Sequence, residues 1–363
     1  MNNNLILCNS VFQVLVALWF KYNMLSDENT DIIISDHMNS YEMIAGNISK
    51  TKLFRNVYTV KSKKFVFGGH DYSSQLEKFF SRTFPKKELY KLIKIKNKYD
   101  CFYFSNFDEF SELIYDVLKR RNNKMKVNIY TDGTSTQSKL FEGYYNDTDV
   151  PKTKKYRIFA LISGKKYLYG NVNQFLVFEP DLMEWDPKCE VSKIDPICKD
   201  KEFLNIVNQV FGYDNIEDEY SEKYIFFEES FYADSGYMED IVLIEKLAEI
   251  VGKENLLIKI HPRNPKNRFK ELGYKTNKDT HIPWEVIAMN IDLSGKKLIA
   301  IASSSILNPV HIFRMDLKAY SLINCLNEVP RILDTPLSKT VVNMYHAYPD
   351  NIKICTSLED IIK

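Results

Sequence analysis

Short β-rich apolar runs alternate with stretches of helical periodicity along most of the chain, in two separate series. In the first, Leu5–Cys8, Asp31–Ser35, Asn56–Val60, Cys101–Phe104 and Val127–Tyr130 predict strands, with helices over Val11–Tyr22, Ser40–Ile48, Tyr72–Phe79 and Glu109–Arg120. In the second, the strands are Tyr224–Phe227, Leu256–Ile260, Leu298–Ile301, Lys318–Ser321 and Lys353–Cys355. Its helices are Tyr237–Val251, Trp284–Met289 and Ile306–Phe313. Such alternation predicts parallel sheets covered by helices on both faces. The stretch between the series, "EPDLMEWDPKCEVSKIDPICKD", is rich in Pro, Asp and Lys, poor in periodicity, and reads as a connector. The architecture expected is α/β, two Rossmann-like domains facing a central cleft. The first spans residues 1–180, the connector 181–222 and the second domain 223–330.

The bulk numbers narrow the function. At 363 residues, 45% hydrophobic and 27% charged, the chain has the make-up of a soluble two-domain protein. Forty-nine basic against forty-eight acidic side chains leave a net +1, which argues against nucleic acid as a partner. The six cysteines contain no CxxC pair, which fits a reducing compartment and neither a disulfide scaffold nor a zinc site. The N-terminal apolar run is broken by Asn9, Ser10 and Gln13, too short to span a bilayer and unlike a signal peptide. A cytoplasmic protein is expected, with peripheral contact at the inner face of a membrane as a minority reading.

Three strand ends carry chemistry, and in open α/β sheets ligands bind at the carboxyl ends of strands. In "NIYTDGTSTQSK", Asp132-Gly133 follows a strand and Thr134, Ser135 and Thr136 can cap a helix. An Asx-turn explains the dipeptide alone; the functional reading is Asp132 as a general base toward a hydroxyl. In "IKIHPRNPKN", Pro262 forces His261 into an extended conformation at the end of a strand. Lys259, His261, Arg263 and Lys266 there suit a phosphorylated ligand, although a lone histidine is more often structural. In "LIAIASSSILNPVHIF", Ser303, Ser304 and Ser305 precede a helix whose free N–H groups form an anion site; a plain N-cap needs only one of them. Asn308-Pro309 is expected to kink that helix or delay its start.

Weaker signals stand beside these. Asp147-Thr148-Asp149 has the DxD form that can hold a divalent cation, but reads as loop. Lys152, Lys154, Lys155, Lys165 and Lys166 read as a solvated face. There is neither a GxxxxGK[ST] nor a GxGxxG sequence.

Taken in order, the Asp-Gly turn, the K-x-H-P strand end and the serine cluster resemble glycosyltransferase family 52 and its relatives. These are the lipooligosaccharide sialyltransferases and bacterial polysialyltransferases. "TDGTS" is similar to the second acidic position and glycine of their [DE]-[DE]-G motif, "KIHPR" to the HP motif and "ASSS" to the Ser/Thr-rich motif. "IPWEVI" resembles the segment whose glutamate, Glu285 here, approaches the nucleotide ribose, and "CNSVFQ" resembles the opening strand-turn-helix. The first acidic position is Thr131, a departure from the pattern.

The resemblance implies a GT-B fold with residues 331–363 crossing back to the first domain. It implies an inverting transferase without cofactor or metal, moving sialic acid from CMP-sialic acid to a galactose-type hydroxyl of a capsule or lipooligosaccharide glycan. Asp132 would be the base. Lys259, His261, Pro262, Arg263, Glu285, Ser303, Ser304 and Ser305 would hold the nucleotide, with His261 also catalytic. Asn9, Ser10, Gln13, Gly133 and Thr134 would line the acceptor side of the cleft. A UDP-hexose donor on the same scaffold is the alternative, and Thr131 supports a third reading, a non-catalytic nucleotide or glycan binder.

Overall fold

A computed structural model describes residues 1–63, 85–147, 164, 166, 168, 170–214, 217–278, 281–327 and 331–363. The helix expected over Tyr72–Phe79 lies outside them, as do Thr148, Asp149, Lys152, Lys154, Lys155 and Lys165. The chain divides into two compact units, Met1–Ile194 and Asp195–Lys363.

The first unit is built on strands β1 (Asn3–Cys8), β2 (Asn29–Ser35), β3 (Asn56–Val60), β4 (Cys101–Phe104), β5 (Lys126–Tyr130), β6 (Gln174–Val177) and β7 (Glu190–Lys193). They pair in parallel in the order β3-β2-β1-β4-β5-β6-β7. Near-continuous apolar runs such as Leu5-Ile6-Leu7-Cys8 suit strands buried on both faces. Ser10 caps the Val11–Asn23 helix by accepting a hydrogen bond from the Gln13 N–H at 3.1 Å.

The interval read as a connector belongs to both units instead. Trp185 packs against Phe141, Tyr145 and Phe175 at ring-centre distances of 5.3–6.2 Å and donates its indole N–H to the Thr136 carbonyl. β7 then adds the last strand of the first sheet, so this unit runs to Ile194 rather than 180. Beyond it, the Lys201–Phe211 helix buries Phe203, Val207, Val210 and Phe211 and exchanges side-chain amide bonds with Asn290 through Asn208. A low density of periodic apolar residues concealed this because a few aromatic and β-branched side chains carry the burial.

The second unit contains β8 (Tyr224–Phe227), β9 (Leu256–Lys259), β10 (Lys275–Thr276), β11 (Lys297–Ala300), β12 (Lys318–Ser321) and β13 (Ile352–Ile354). All pair in parallel in the order β10-β9-β8-β11-β12-β13. Residues 331–363 remain here: the Pro336–Tyr345 helix leads into β13, which pairs with β12. The expected return to the first unit is therefore corrected. In each sheet the strand order reverses direction once, between β1 and β4 in the first and between β8 and β11 in the second. Those switch points open a crevice at the carboxyl ends of the strands, the usual seat of a ligand in such sheets.

Pro309 neither delays nor ends its helix, which runs from Ser304 to His311. A proline at this position has no N–H for the carbonyl of Ser305, four residues earlier. The indole N–H of Trp284 supplies the missing donor to that carbonyl at 2.8 Å.

Candidate active site

At the first switch point, the turn after β1 places Asn9 and Ser10 beside Asn106, which follows β4, and Asp132, which follows β5. Ser10 Oγ donates to Asp132 Oδ1 at 3.3 Å, and Asn106 Nδ2 donates to Oδ2 at 3.2 Å. Gln13 Nε2 donates to Asn106 Oδ1 at 2.5 Å, which fixes the Asn106 amide with its NH₂ toward Asp132. Asn9 Nδ2 completes the network by donating to Asp108 Oδ2 at 3.0 Å. Burial raises the Asp132 carboxyl above the usual carboxylate range, while hydrogen bonds from Gln13, Asn106 and Ser10 pull against the rise. The residue as a whole is partly exposed. The result is a carboxylate of increased basicity, held at two oxygens.

The sequence-derived acceptor residues divide on burial. Asn9, Ser10 and Gly133 are partly exposed, whereas Gln13 and Thr134 are buried at 1% and 7% exposure. Gln13 thus positions Asn9 and Asn106 from within, accepting the Asn9 N–H at 2.7 Å, rather than facing an acceptor. Gly133 adopts φ +69°, a left-handed conformation suited to glycine. Thr131 is 2% exposed, and its hydroxyl donates to the Gly133 carbonyl at 3.1 Å. A carboxylate at 131 would face that carbonyl with no proton to give, so threonine fits the turn as built. Asn106 escaped the sequence reading. Its only signal is its place just past an apolar run.

In the second unit, His261-Pro262-Arg263-Asn264 forms a β-turn closed by the Asn264 N–H on the His261 carbonyl at 3.0 Å, with proline at its favoured second position. The Arg263 N–H donates to His261 Nδ1 at 3.2 Å, which leaves the imidazole proton on Nε2. Burial, then repulsion from Arg263 and Lys259, brings the His261 pKa down to about 4. His261 is therefore a neutral hydrogen-bond donor near pH 7, not one of a cluster of cations.

The other members of that cluster also separate. Arg263 is paired with Asp234 at 3.2 Å and donates to Ser230 Oγ at 2.6 Å; Pro262 and Lys266 are exposed. Lys259 is 8% exposed, and burial lowers its amine to about 8 against the attraction of Glu285 and Glu219. Glu285, in the first turn of the Trp284–Asn290 helix, accepts from Asn308 Nδ2 at 2.7 Å. Ser303 caps its helix by accepting the Ser305 N–H at 3.2 Å, and its carbonyl accepts from the Tyr345 hydroxyl at 2.8 Å.

Two carboxylates adjacent in sequence, missed in the sequence reading, organise this end of the sheet. Glu228 Oε2 accepts the His261 backbone N–H at 3.0 Å, while its Oε1 accepts from Arg268, which also pairs with Asp240 at 2.6 Å. Glu229 Oε1 accepts the N–H groups of Ile301 and Ala302 at 3.0 and 2.8 Å. Those donors, just ahead of the serines, are thus already occupied, and the anion site expected there is reduced to the serine turn. Adjacent acids directly after "YIFF" were the available signal.

Asp147 ends the Lys139–Asp147 helix rather than lying in a loop. Among the described residues no cluster of three His, Cys, Asp or Glu side chains is arranged to hold a metal. No helix among them is long and apolar enough to cross a membrane.

No protein-family model matches the sequence, and no curated protein is significantly similar to it. Solved structures do resemble the fold. An α/β-galactoside α-2,3-sialyltransferase from the luminous marine bacterium Photobacterium phosphoreum is 12% identical, with a TM-score of 0.50 over 99% of this chain and 98% of that one. Phytolacca americana UGT2, complexed with UDP-2-fluoroglucose and pterostilbene, is 9% identical, with a TM-score of 0.52 over 100% and 90% of the two chains. The fold is of the GT-B kind. A Listeria monocytogenes protein assigned as a UDP-N-acetylglucosamine 2-epimerase shares it at 9% identity and a TM-score of 0.51, over 100% of this chain and 86% of that one. The scaffold therefore spans more than one chemistry, and function has to be argued from side chains.

Proposed function

We propose that the protein is an inverting glycosyltransferase that moves sialic acid from CMP-sialic acid to a hydroxyl of a bacterial surface glycan, a capsule or lipooligosaccharide. The observation that carries this reading is Asp132, a carboxylate of raised basicity held by Ser10 and Asn106 at the carboxyl end of its sheet. Asp132 takes the proton from the acceptor hydroxyl as its oxygen attacks the anomeric carbon and the bond to CMP breaks. His261 donates its Nε2 proton in a hydrogen bond to the departing phosphate, and the Lys259 amine and serine turn favour the same anion. The sialyltransferase among the structural neighbours supports this donor; UGT2 with its UDP-sugar keeps a UDP-hexose as the second reading. Incubation with each nucleotide-sugar and a galactose-terminated acceptor tests the choice. Acceptor-dependent CMP release is expected. Release of UDP instead would transfer the proposal to the second reading, and release of neither nucleotide would favour a non-catalytic binder.

Two further results follow from the same reading. Activity should survive EDTA, since protein groups are proposed to supply the positive and hydrogen-bonding environment of the leaving phosphate. Loss on chelation with recovery on Mg²⁺ or Mn²⁺ would overturn this. His261→Ala should lower kcat and weaken CMP binding by about 1.5–3 kcal/mol, the range for a lost hydrogen bond to a charged group. A variant that binds CMP as tightly as the parent in calorimetric titration would remove His261 from the phosphate.

A further inference from the structure

The switch point of the second sheet is bridged by a side chain. On one side of β8, pairing with β9 continues past the strand, because the Glu228 N–H donates to the Lys259 carbonyl at 3.0 Å. On the other side the link to β11 passes through the Glu229 carboxyl, whose Oε1 accepts both the Ile301 and Ala302 N–H groups. Glu229 is 9% exposed, so the floor of the crevice between β8 and β11 contains a buried acid directly ahead of Ser303. A ligand entering a doubly wound sheet occupies this crevice.

We propose that Glu229 is a positioning residue that ties the serine turn to β8, and that a nucleotide phosphate enters this crevice together with one proton bound by Glu229. The inference rests on the nucleotide reading of the second unit. Its physical basis is like-charge repulsion: a dianionic phosphate near a buried carboxylate favours the neutral acid. The protonated carboxyl keeps its carbonyl oxygen as acceptor for both backbone N–H groups, so the turn stays in place, and the proton comes from solvent.

The surroundings agree in direction. Burial first, then repulsion from Asp240, raises the Glu229 carboxyl to about 8, while the backbone bonds from Ala302 and Ile301 oppose the rise. The charged and titratable groups that bear on it are Glu228 beside it in sequence, Asp240 on the Glu239–Val251 helix and Tyr345 on the Pro336–Tyr345 helix; on the neighbouring strand, Lys259 ends β9 and His261 lies just past it. Glu228 and Asp240 are both paired with Arg268, and burial first, then repulsion from Glu229, raises the Tyr345 hydroxyl well above its usual range. Lys259, lowered to about 8, is the rival to Glu229. A variant at Glu229 separates the two.

Calorimetric titration of the full chain with CMP, at pH 8.5 in buffers of different ionisation enthalpy, measures proton uptake. The parent is expected to take up roughly three-quarters of a proton more than E229Q, the occupancy left to gain at that pH for a group titrating near 8. From pH 7 to pH 9 the fall in CMP affinity should be about ten-fold steeper in the parent than in E229Q, and the remaining slope belongs to Lys259. Melting curves show whether E229Q folds, and the parent in the buffer series is a test that needs no variant. Binding without proton uptake by the parent, or with equal uptake by a folded E229Q, overturns the role of Glu229 and leaves nucleotide binding standing. A folded parent that binds neither CMP nor UDP overturns the nucleotide reading itself.

Discussion

Asp132→Asn is expected to slow glycosyl transfer by about 10²–10⁴-fold, the usual contribution of a general base, while CMP binding stays close to that of the parent. The substitution keeps the shape of the side chain and removes its capacity to accept a proton. It also sets an NH₂ group against the Ser10 hydroxyl or the Asn106 amide, both of which donate to the carboxylate. Because burial raises the Asp132 carboxyl, the acidic limb of the rate profile should fall at a higher pH than an ordinary aspartate would give. Ser10→Ala removes one bond that stabilises the charged form and should move that limb higher still. A folded Asp132→Asn enzyme that turns over at the parent rate would end the assignment. One that loses rate, CMP binding and thermal stability together would reveal a turn-former.

The second large effect is on stability. Arg268 is 6% exposed and bonds Glu228 at 2.8 Å and Asp240 at 2.6 Å, both of them buried. Arg268→Met leaves two carboxylates in a low-dielectric interior without their cation, and breaking a buried pair in this way costs about 3–5 kcal/mol. The loss should appear as a lower melting temperature and a lower denaturant midpoint. Since Glu228 also holds the His261 N–H, weaker CMP binding should accompany it at temperatures where the variant is still folded. Adding Glu228→Gln and Asp240→Leu to Arg268→Met is expected to recover much of the stability, because the buried charges go together. A single Arg268→Met protein that melts with the parent would show that the carboxylates find water or other donors.

How far the sequence carried these conclusions depends on the range of the interaction. Strands such as Leu5–Cys8 and Tyr224–Phe227 were legible because burial on both faces needs an unbroken apolar run. Asp132, His261 and the serine turn were legible because each marks a strand end with residues of unusual chemistry. Asn106, Glu228, Glu229 and Arg268 were not, since their meaning depends on which strands become neighbours. Nothing in "FFEESF" says that β11 will lie beside β8, and only that adjacency brings Glu229 to the Ile301 and Ala302 N–H groups. The cluster of four basic residues that includes His261 misled for the same reason. Their partners, Asp234 for Arg263 and Glu285 near Lys259, come from distant elements.

The bond between Trp284 and the Ser305 carbonyl makes the second unit optically addressable. The chain has three tryptophans, and Trp19 and Trp185 both belong to the first unit. Trp284 is thus the lone indole emitter of the second, anchored by its N–H to the backbone of the serine turn and edge-on to Phe227 at 4.6 Å. Replacing Trp19 and Trp185 with phenylalanine would leave a single tryptophan, selectively excitable beside the tyrosines, one hydrogen bond from the serine turn proposed to seat the phosphate. Its emission would then follow that turn in stopped-flow mixing with no attached dye.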